Sequence, residues 1–455
     1  PAPSPSLWRA SQQAREEELS AAGRKVFCRG RRHSRARVYN SGGAQYGEDG
    51  DVAGCDLLSK WYTRAIRLTD EGMAQTMAED NRRILDYLRA HTNDMVADLK
   101  RLIALESPTS YKPAVDELGA ALAAELRGLG GAVEVIPKTE VGDVLRARWN
   151  AGEGGVVIMS HMDTVWDVGT VAGRPTRIEG DRLYGVGAMD MKGGIVIALW
   201  ALRALRALDQ FPEGPITYLL NSDEETGSRH SAGEIEAEAL AHDVVFVTEP
   251  PQDGAYKTQR KGVSQYTIRV KGRAAHSGAD HARGVNAIEE MAHQVLAAQA
   301  MTNYDIGTTA NVGVISGGTR PNVVPAEAQV EINVRAWTRV NQEAIHEQMM
   351  SLKPVHPEAE VIVEGGVGVP PMERSPEIAA LFKQAQALAA GMGITLEEGR
   401  TGGGSDGNKT AALGVPTLDG MGMVGDGGHA IDEYGEVSSL PERAAIMAAM
   451  LRELL

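Results

Sequence analysis

The chain downstream of residue 80 carries apolar residues at the spacing of α-helices. The stretch NRRILDYLRAHTNDMVADLKRLIAL (81–105) places them three or four positions apart. The stretch AVDELGAALAAELRGLG (114–130) repeats that spacing and ends in glycines, as helices commonly do. The pattern therefore predicts that the globular part of the chain begins with helices.

Short, continuous apolar runs follow and alternate with a further helical segment. The runs are VVIMS (156–160), ITYLL (216–220) and VVFVT (244–248), with a helix predicted near 192–208. Runs of this length without a polar face are typical of central strands that are covered on both sides. They predict a layer of α/β type.

The pattern changes after Lys257, where SQYTIRV (264–270) alternates apolar and polar positions. Further elements are predicted in the order β-α-β-β-α-β, which is the ferredoxin-like arrangement. They are a helix near 286–299, strands near 310–316 and 328–336, a helix near 341–352 and the strand AEVIVEG. Helical and short α/β segments return near residue 371, so we predict one domain inserted into another.

The predicted division has four parts. Residues 1–75 form an extension, 76–257 the first part of a catalytic domain, 258–370 an inserted domain, and 371–455 the second part of the catalytic domain. The extension contains the arginine-rich GRKVFCRGRRHSRARVYNSGG without helical or strand periodicity. We expect it to be disordered, or to be translated sequence upstream of a natural start at Met73 or Met77. A targeting peptide is the alternative, but acids such as those of REEEL are rare in such peptides.

Composition narrows the classes of function. The 455 residues carry 46 Lys and Arg against 61 Asp and Glu, a formal charge of −15, which argues against a nucleic-acid partner. Apolar runs are shorter than the roughly 20 residues of a membrane span, and we expect a cytoplasmic protein, with the periplasm as the alternative. The two cysteines, Cys28 and Cys55, both lie in the extension. Any metal in the core must therefore be held by His, Asp and Glu.

Candidate ligands follow the first predicted strand. In SHMD, His161 and Asp163 are two residues apart, and on an extended segment that spacing puts both side chains on one face. A neutral imidazole can bind a metal while a carboxylate fixes its orientation. A polar turn after a strand is the alternative interpretation.

Other carboxylates and a histidine occur at further segment ends. Asp190 lies in YGVGAMDMKGG just before a helix, where a capping role would also explain it. Glu224 and Glu225 lie in NSDEETGS, Glu249 ends the third apolar run, and His429 follows two glycines in DGGHAIDEY. An open α/β sheet places its active site at such strand ends.

Taken together, the ordered motifs SHMDTV, GAMDMKGG, DEETGS, TEP, AHSG and GGGSDGNKTAALGVPTLDG resemble those of the M20 family of dinuclear zinc metallopeptidases. The branch that the chain resembles is the glutamate carboxypeptidase (carboxypeptidase G2-like) group, over residues 80–455. The resemblance implies a zinc-peptidase-like catalytic domain, a mixed sheet flanked by helices, with an inserted ferredoxin-like lid and dimerisation domain.

The resemblance also implies a ligand set and a mechanism. His161, Asp190 and Glu249 would bind one zinc ion, and Asp190, Glu225 and His429 a second, with a cis peptide after the bridging Asp190. Glu224 would be the general base for a hydroxide that bridges the metals, and Asp163 would orient His161. Cobalt and manganese are alternatives to zinc for such oxygen and nitrogen ligands. Asp223 receives no role, and we expect it to be an exposed polar residue.

Substrate contacts are implied by the same resemblance. His276 would reach the active site of a partner subunit in a homodimer formed through the lid, and Asn322 and Arg335 would contact substrate from the lid. The glycine loop, with Gly403 and Ser405, would line the site. A phosphate-binding loop is disfavoured there because Asn408 stands where the Walker pattern needs lysine directly after the last glycine.

One departure concerns specificity. Relatives in the glutamate carboxypeptidase branch carry arginine where this chain has Val369, and valine cannot pair with an acidic substrate side chain. The predicted function is release of a C-terminal residue from a dipeptide or N-acyl amino acid, with a less acidic preference. A deacylase of the same fold acting on an acyl-ornithine, a succinyl-diamine or a ureido compound is the alternative, and a non-catalytic binding protein is a third.

Overall fold

The structure, a computed structural model, describes residues 71–455. The predicted extension, with Cys28 and Cys55, lies outside the described residues except for 71–75, where the first helix begins. The helices are α1 (Glu71–Ala90), α2 (Thr92–Ala104), α3 (Lys112–Gly128), α4 (Thr170–Gly173), α5 (Gly193–Ala207), α6 (Ala232–Ala241), α7 (Ala287–Gln299), α8 (Arg339–Met350), α9 (Pro376–Gly391), α10 (Asp406–Ala412) and α11 (Ser439–Leu454). The strands are β1 (Ala132–Ile136), β2 (Val144–Trp149), β3 (Val156–His161), β4 (Arg177–Glu179), β5 (Arg182–Tyr184), β6 (Ile216–Asn221), β7 (Val244–Val247), β8 (Tyr256–Arg260), β9 (Gly262–Lys271), β10 (Thr309–Gly317), β11 (Glu327–Ala336), β12 (Glu360–Val369), β13 (Glu398–Thr401), β14 (Thr417–Leu418), β15 (Gly425–Asp426) and β16 (Tyr434–Glu436).

The larger sheet has six strands in the order β1-β2-β6-β3-β7-β14. Strands β6, β3, β7 and β14 are parallel, while β1 and β2 are antiparallel additions at one edge. Alternate residues of β3 belong to two different cores: Val156 and Ile158 pack with α5 and α11, and Val157 and Met159 pack with Ile235 of α6. This burial on both faces explains why the apolar runs are continuous, and it confirms the predicted α/β layer.

The parallel strands place the candidate chemistry at one edge. Because β3, β6 and β7 run in the same direction, their carboxyl ends lie side by side, with His161 in register with Asn221. The loops that leave these ends carry Glu224 and Glu249, as the sequence predicts. The residues of the candidate site therefore meet because of strand direction rather than closeness in sequence.

The inserted segment forms a separate antiparallel sheet in the order β10-β11-β9-β12. Along β9 the side chains of Tyr266, Ile268 and Val270 point into a core of their own, under α7 and α8. The observed β-α-β-β-α-β order is the predicted ferredoxin-like one. Strand β12 continues to Val369, four residues beyond its predicted end.

The two chain segments that join the inserted domain to the rest of the fold pair with each other. The Arg260 amide donates to the carbonyl of Met372 at 3.0 Å, and the Met372 amide donates back at 3.1 Å. The entry and the exit of the inserted domain are thus held side by side.

Within residues 71–455, no helix has the length and apolar composition needed to cross a membrane. The expected cytoplasmic location stays a prediction.

We predict that Gly194→Ala destabilises the protein, because a methyl group at this position in α5 would overlap the carbonyl oxygen of Thr248. Overpacking of this kind costs about 1–3 kcal/mol. Gly233→Ala is the matched control, since it also lies in a helix but has open space around its Cβ position. We expect the free energy of unfolding of this control to be unchanged or to rise by up to about 1 kcal/mol. Urea unfolding of both variants checks the prediction, and equal stability of the two would contradict it.

Candidate active site

His161 ends strand β3 and is almost completely buried. Its Nδ1 lies 2.9 Å from the backbone carbonyl oxygen of Asp163, and since a carbonyl only accepts, Nδ1–H is the donor. Nε2 therefore faces the acidic groups, 3.2 Å from Asp190 Oδ1 and 3.5 Å from Glu249 Oε1. Burial lowers the pKa of His161, but hydrogen bonds to Asp163 and Asp190 outweigh it and raise the pKa well above its usual value.

The side chain of Asp163 lies farther from His161 than the backbone carbonyl of Asp163 does. The distance from His161 Nδ1 to Asp163 Oδ1 is 3.4 Å. The two carboxylate oxygens of Asp163 accept the backbone amides of Glu224 and Glu225, both at 3.2 Å. Oδ2 also accepts the Thr109 hydroxyl at 2.6 Å. Asp163 thus orients His161 mainly through its backbone, while its side chain fixes the turn that carries the two glutamates.

Asp190 lies between the two histidines. Its Oδ1 faces His161, and its Oδ2 lies 3.3 Å from Nε2 of His429, which is half-exposed on a loop. Burial raises the pKa of Asp190, but hydrogen bonds to both histidines lower it further, so its pKa is well below the usual range. The cis peptide expected between Asp190 and Met191 is present.

Glu224 and Glu225 occupy a short turn directly after β6. Glu225 Oε2 lies 3.1 Å from His429 Nε2, whereas its Oε1 is buried without a hydrogen-bond partner in the described part of the chain. Burial and the neighbouring Glu249 carboxylate raise the pKa of Glu224 well above its usual value. Hydrogen bonds to Asp190 and Glu225 raise the pKa of His429 to about 10.

These side chains form overlapping clusters of possible metal ligands. The ligand atoms of His161, Asp190 and Glu225 lie within 4.8 Å of one another, and so do those of His161, Glu224 and Glu249. The donors are imidazole nitrogens and carboxylate oxygens, which suit zinc and related divalent cations. The unpartnered Glu225 Oε1 is a further sign that a cation fits here, because a buried carboxylate oxygen without a partner is costly.

The predicted substrate residues are not all brought to this cluster. Gly403 lines a cavity of about 750 Å³ together with Asp190 and Glu249. The Arg335 guanidinium lies beside the same loop and donates through Nη1 to the carbonyl of Gly402 at 3.2 Å.

Ser405, which was predicted to line the site with Gly403, is not among the residues that line this cavity. Its hydroxyl is buried, donates to Asp419 Oδ2 at 2.6 Å and accepts the Gly407 amide at 3.0 Å. The accepted bond caps α10, and the donated bond ties that helix end to Asp419.

His276 and Asn322 lie next to each other on exposed loops of the inserted domain. The Ser277 amide donates to the Asn322 carbonyl at 3.1 Å. His276 Nδ1 accepts the amides of Gly278 and Ala279, so its Nε2 carries the proton and is free to donate.

Asp223 is a correction to the sequence analysis, because it is completely buried rather than exposed. Its carboxylate accepts the His230 amide at 2.7 Å and the Ser231 hydroxyl at 2.5 Å. It fixes the far end of the loop that begins with Glu224. The serine downstream is a local signal that sequence reasoning could have used.

Arg260 was not predicted, although it is buried beside a proposed ligand. Two of its nitrogens bind the Asp419 carboxylate at 2.8 and 2.6 Å, and Nη2 lies 3.6 Å from Glu249 Oε2. Its Nη1 donates to the carbonyls of Gly403 and Gly404, at 3.3 and 3.1 Å. No local pattern reveals this residue, because its partner Asp419 lies 159 positions away.

Glu433 was also missed. It is buried, and its carboxylate accepts backbone amides from the loop that carries Asp190. Burial raises the pKa of Glu433 to about 7, and these amide hydrogen bonds oppose the shift.

Solved structures of known proteins share this fold. The M20 family metallo-carboxypeptidase Sso-CP2 from Sulfolobus solfataricus superposes with a TM-score of 0.62 at 16% identity, covering 79% of this chain and 98% of that one. A dinuclear metal-binding M20 peptidase of Bacillus subtilis gives 0.60 at 14% identity, covering 80% and 98%. At such low identity these similarities concern the fold alone.

Relatives found by sequence have a higher identity to this chain than those two structures. Carboxypeptidase G2 of Pseudomonas sp. (strain RS-16) is 32% identical over 372 residues, which are 79% of this chain and 89% of the relative. Succinyl-diaminopimelate desuccinylase of Dechloromonas aromatica (strain RCB) is 29% identical over 377 residues, 78% of this chain and 97% of the relative. The model of peptidase family M20/M25/M40 matches residues 157–453. The chain therefore belongs to peptidase family M20/M25/M40 and is an amide-hydrolysing enzyme.

Proposed function

We propose that this enzyme is a dinuclear metallocarboxypeptidase, which releases the C-terminal residue of a dipeptide or N-acyl amino acid. The observation that carries the proposal is the position of Asp190, whose two carboxylate oxygens face two different histidines. One carboxylate placed in this way can be shared by two cations. Glu224 lies in the same cluster and is free to act on a water molecule.

The proposed ligands are those implied by the sequence. His161, Asp190 and Glu249 would hold one metal ion, and Asp190, Glu225 and His429 the other. Zinc suits this donor set best, and cobalt or manganese are alternatives. When bound, the metal pair supplies Lewis acidity, which lowers the pKa of a water molecule and polarises an amide carbonyl.

Glu224 would move the proton in this reaction. Its carboxylate lies within 4.8 Å of the proposed ligand atoms of His161 and Glu249, where it could take a proton from the attacking water and return it to the departing nitrogen. The backbone amide of Glu224 is held by Asp163, and the loop behind it is held by Asp223. The carboxylate is therefore aimed by contacts outside the substrate site.

Arg335 would bind the free carboxylate of the substrate. Its Nε donates to Asn333 Oδ1 at 2.8 Å and its Nη1 to Gly402, and it makes no ion pair with a carboxylate of residues 71–455. A half-buried guanidinium without an acidic partner, beside a loop that lines the cavity, is suited to an anionic ligand.

More positive charge lies beside the glycine loop than the sequence indicated. Lys261 and Arg400 lie over the ring of Trp337, at 5.0 and 4.9 Å from its centroid, and neither has an ion-pair partner in the described chain. The methylene Cδ of Lys261 is 4.0 Å from the Cβ position of Gly402. Val369 lies beside Gly404 of the same loop. We therefore propose that an acidic side chain is accepted in spite of Val369.

A succinyl-diamine deacylase is the second candidate. The desuccinylase relative is matched over 97% of its length, and a succinyl group carries a carboxylate that the same cations would attract. The reacting bond is again an amide, so the two candidates differ in substrate rather than in chemistry.

We also propose a homodimer through the inserted domain, in which His276 acts on the partner's substrate. The free Nε2–H of His276 supports this role, since it could donate to a developing oxyanion. Strand β10 lies at an edge of its sheet and exposes Val314 and Ile315, as a strand that pairs between subunits would.

We predict that Glu224→Gln lowers kcat by about 10²–10⁴-fold, because the amide cannot accept the proton. The bound zinc, measured by elemental analysis, should stay at the wild-type amount. The control Glu236→Gln removes an exposed carboxylate of α6 and should keep full activity. Wild-type turnover by Glu224→Gln would refute the general-base role.

We predict that replacing both Lys261 and Arg400 by alanine lowers kcat/KM selectively for substrates with an acidic side chain. Lost charged contacts of about 1–2 kcal/mol correspond to about a 5–30-fold loss in kcat/KM for substrates ending in glutamate or aspartate. For substrates ending in leucine or alanine, kcat/KM should change less than about twofold, because these side chains carry no charge. Mass spectrometry of released amino acids and of released succinate gives the comparison.

The control for this experiment is Lys100→Ala, which removes an exposed lysine from α2. Preferential release of neutral residues by the wild type, unaffected by the double substitution, would show instead that Val369 sets a less acidic specificity.

We predict that His276→Ala and Glu224→Ala proteins are each impaired, and that mixing them restores activity. Random reassociation makes half of the dimers mixed, and each has one complete site, so about a quarter of the wild-type rate should return. Steady-state rates after exchange of subunits measure this. An absence of recovery, with exchange shown by mass spectrometry, would refute the role of His276 in the partner subunit.

A further inference from the structure

Glu433 is a buried carboxylate that belongs to neither proposed ligand set. It lies four residues after His429 on the same loop, and its side chain is almost completely inaccessible. A buried carboxylate is costly unless it is fully hydrogen-bonded, so its partners indicate what it does.

The partners are backbone amides of the segment that carries Asp190. Oε1 accepts the amides of Met189 at 3.0 Å and of Asp190 itself at 3.2 Å. Oε2 accepts the Gly187 amide at 2.9 Å, and Trp166 Nε1–H lies 3.3 Å from the same oxygen. One side chain thus binds three amides within four residues.

The segment needs such a partner because it does not follow a regular helix. Gly187 has a φ of 65°, and Asp190 has a φ of −112° and a ψ of 93°. Amides in this conformation cannot all find carbonyls one helical turn away, and buried amides without acceptors are destabilising. The Glu433 carboxylate provides the acceptors and so fixes the path of the backbone at Asp190.

We propose that Glu433 is a positioning residue for metal binding, which holds the Asp190 carboxylate between His161 and His429. The proposal rests on the proposed metal site. Because Glu433 and His429 share a loop, the same contacts also tie the loop of one ligand to the backbone of another. Partners of this kind outside the ligand set typically change metal affinity by about 10–100-fold when they are removed.

The test is the zinc affinity of Glu433→Gln, measured on metal-free protein by competition with a chromophoric chelator. The substitution keeps the shape of the side chain but replaces one acceptor oxygen with an NH₂ group that faces an amide. We expect a dissociation constant raised by about 10–100-fold. Near-UV circular dichroism of the metal-free protein, at a temperature well below its unfolding transition, confirms that the folded state is being titrated.

Two further variants make the comparison specific. Asp432→Asn removes the same charge from the neighbouring exposed residue and should bind zinc within about twofold of the wild type, since exposed charges are screened. Glu433→Asp keeps the charge but shortens the reach, so it should also lose affinity, and it replaces Glu433→Gln if that variant does not fold.

The outcomes separate the two proposals. If the wild type binds zinc and a folded Glu433 variant binds it with the same affinity, the positioning role is overturned but the metal site is not. An equal loss in Asp432→Asn would overturn it as well, because charge rather than position would then be responsible. A wild type that binds no zinc would refute the proposed metal site itself.

Discussion

The concentration of negative charge in one buried place is the constraint on which the site depends. Asp190, Glu224, Glu225 and Glu249 lie together, in contact with the imidazoles of His161 and His429. The Arg260 guanidinium lies 3.6 Å from Glu249. Burying carboxylates without compensation is costly, and mutual repulsion adds to that cost. The donor set fits divalent cations, which would offset the repulsion. The protein must nevertheless hold these groups in place before any cation arrives.

Backbone amides held by two other carboxylates provide that support. Asp163 accepts the amides of Glu224 and Glu225, and Glu433 accepts those of Met189 and Asp190. In both cases an acid that lies outside the proposed ligand set binds the main chain of an acid inside the cluster. An amide hydrogen bond to a carboxylate is charge-assisted, so it aims a side chain without bringing another cation into the site. The side-chain oxygens of the inner carboxylates are therefore not needed to hold these amides and can serve metal and proton chemistry.

The sequence predicts the fold and the cluster for different reasons. Continuous apolar runs fix β3, β6 and β7 because burial on both faces leaves a local pattern, and the ordered motifs lead to the histidines and glutamates by resemblance. Contacts between distant residues leave no such pattern. Arg260, for example, is explained only by Asp419, 159 positions away. Asp223 differs, because its partner Ser231 is close in sequence and the loop between them could have been recognised. A capping hydroxyl and a substrate-binding hydroxyl look alike in a glycine loop, and nothing in the sequence indicated that Ser405 caps α10.

The proposed function draws its chemistry and its specificity from separate parts of the chain. The acidic cluster is built on the ends of β3, β6 and β7 and on neighbouring loops, whereas Arg335 comes from the inserted domain and Lys261 from the segment that enters it. Arg260 joins the two parts, since it contacts Glu249, the glycine loop and, through its backbone, Met372 at the exit of that domain. Under the proposed function, substitutions at positions such as 369 or 261 would change which residue is accepted without moving the carboxylates of the acidic cluster. A difference such as Val369, which lies beside Gly404 and outside the acidic cluster, would consequently bear on the substrate rather than on the hydrolytic chemistry.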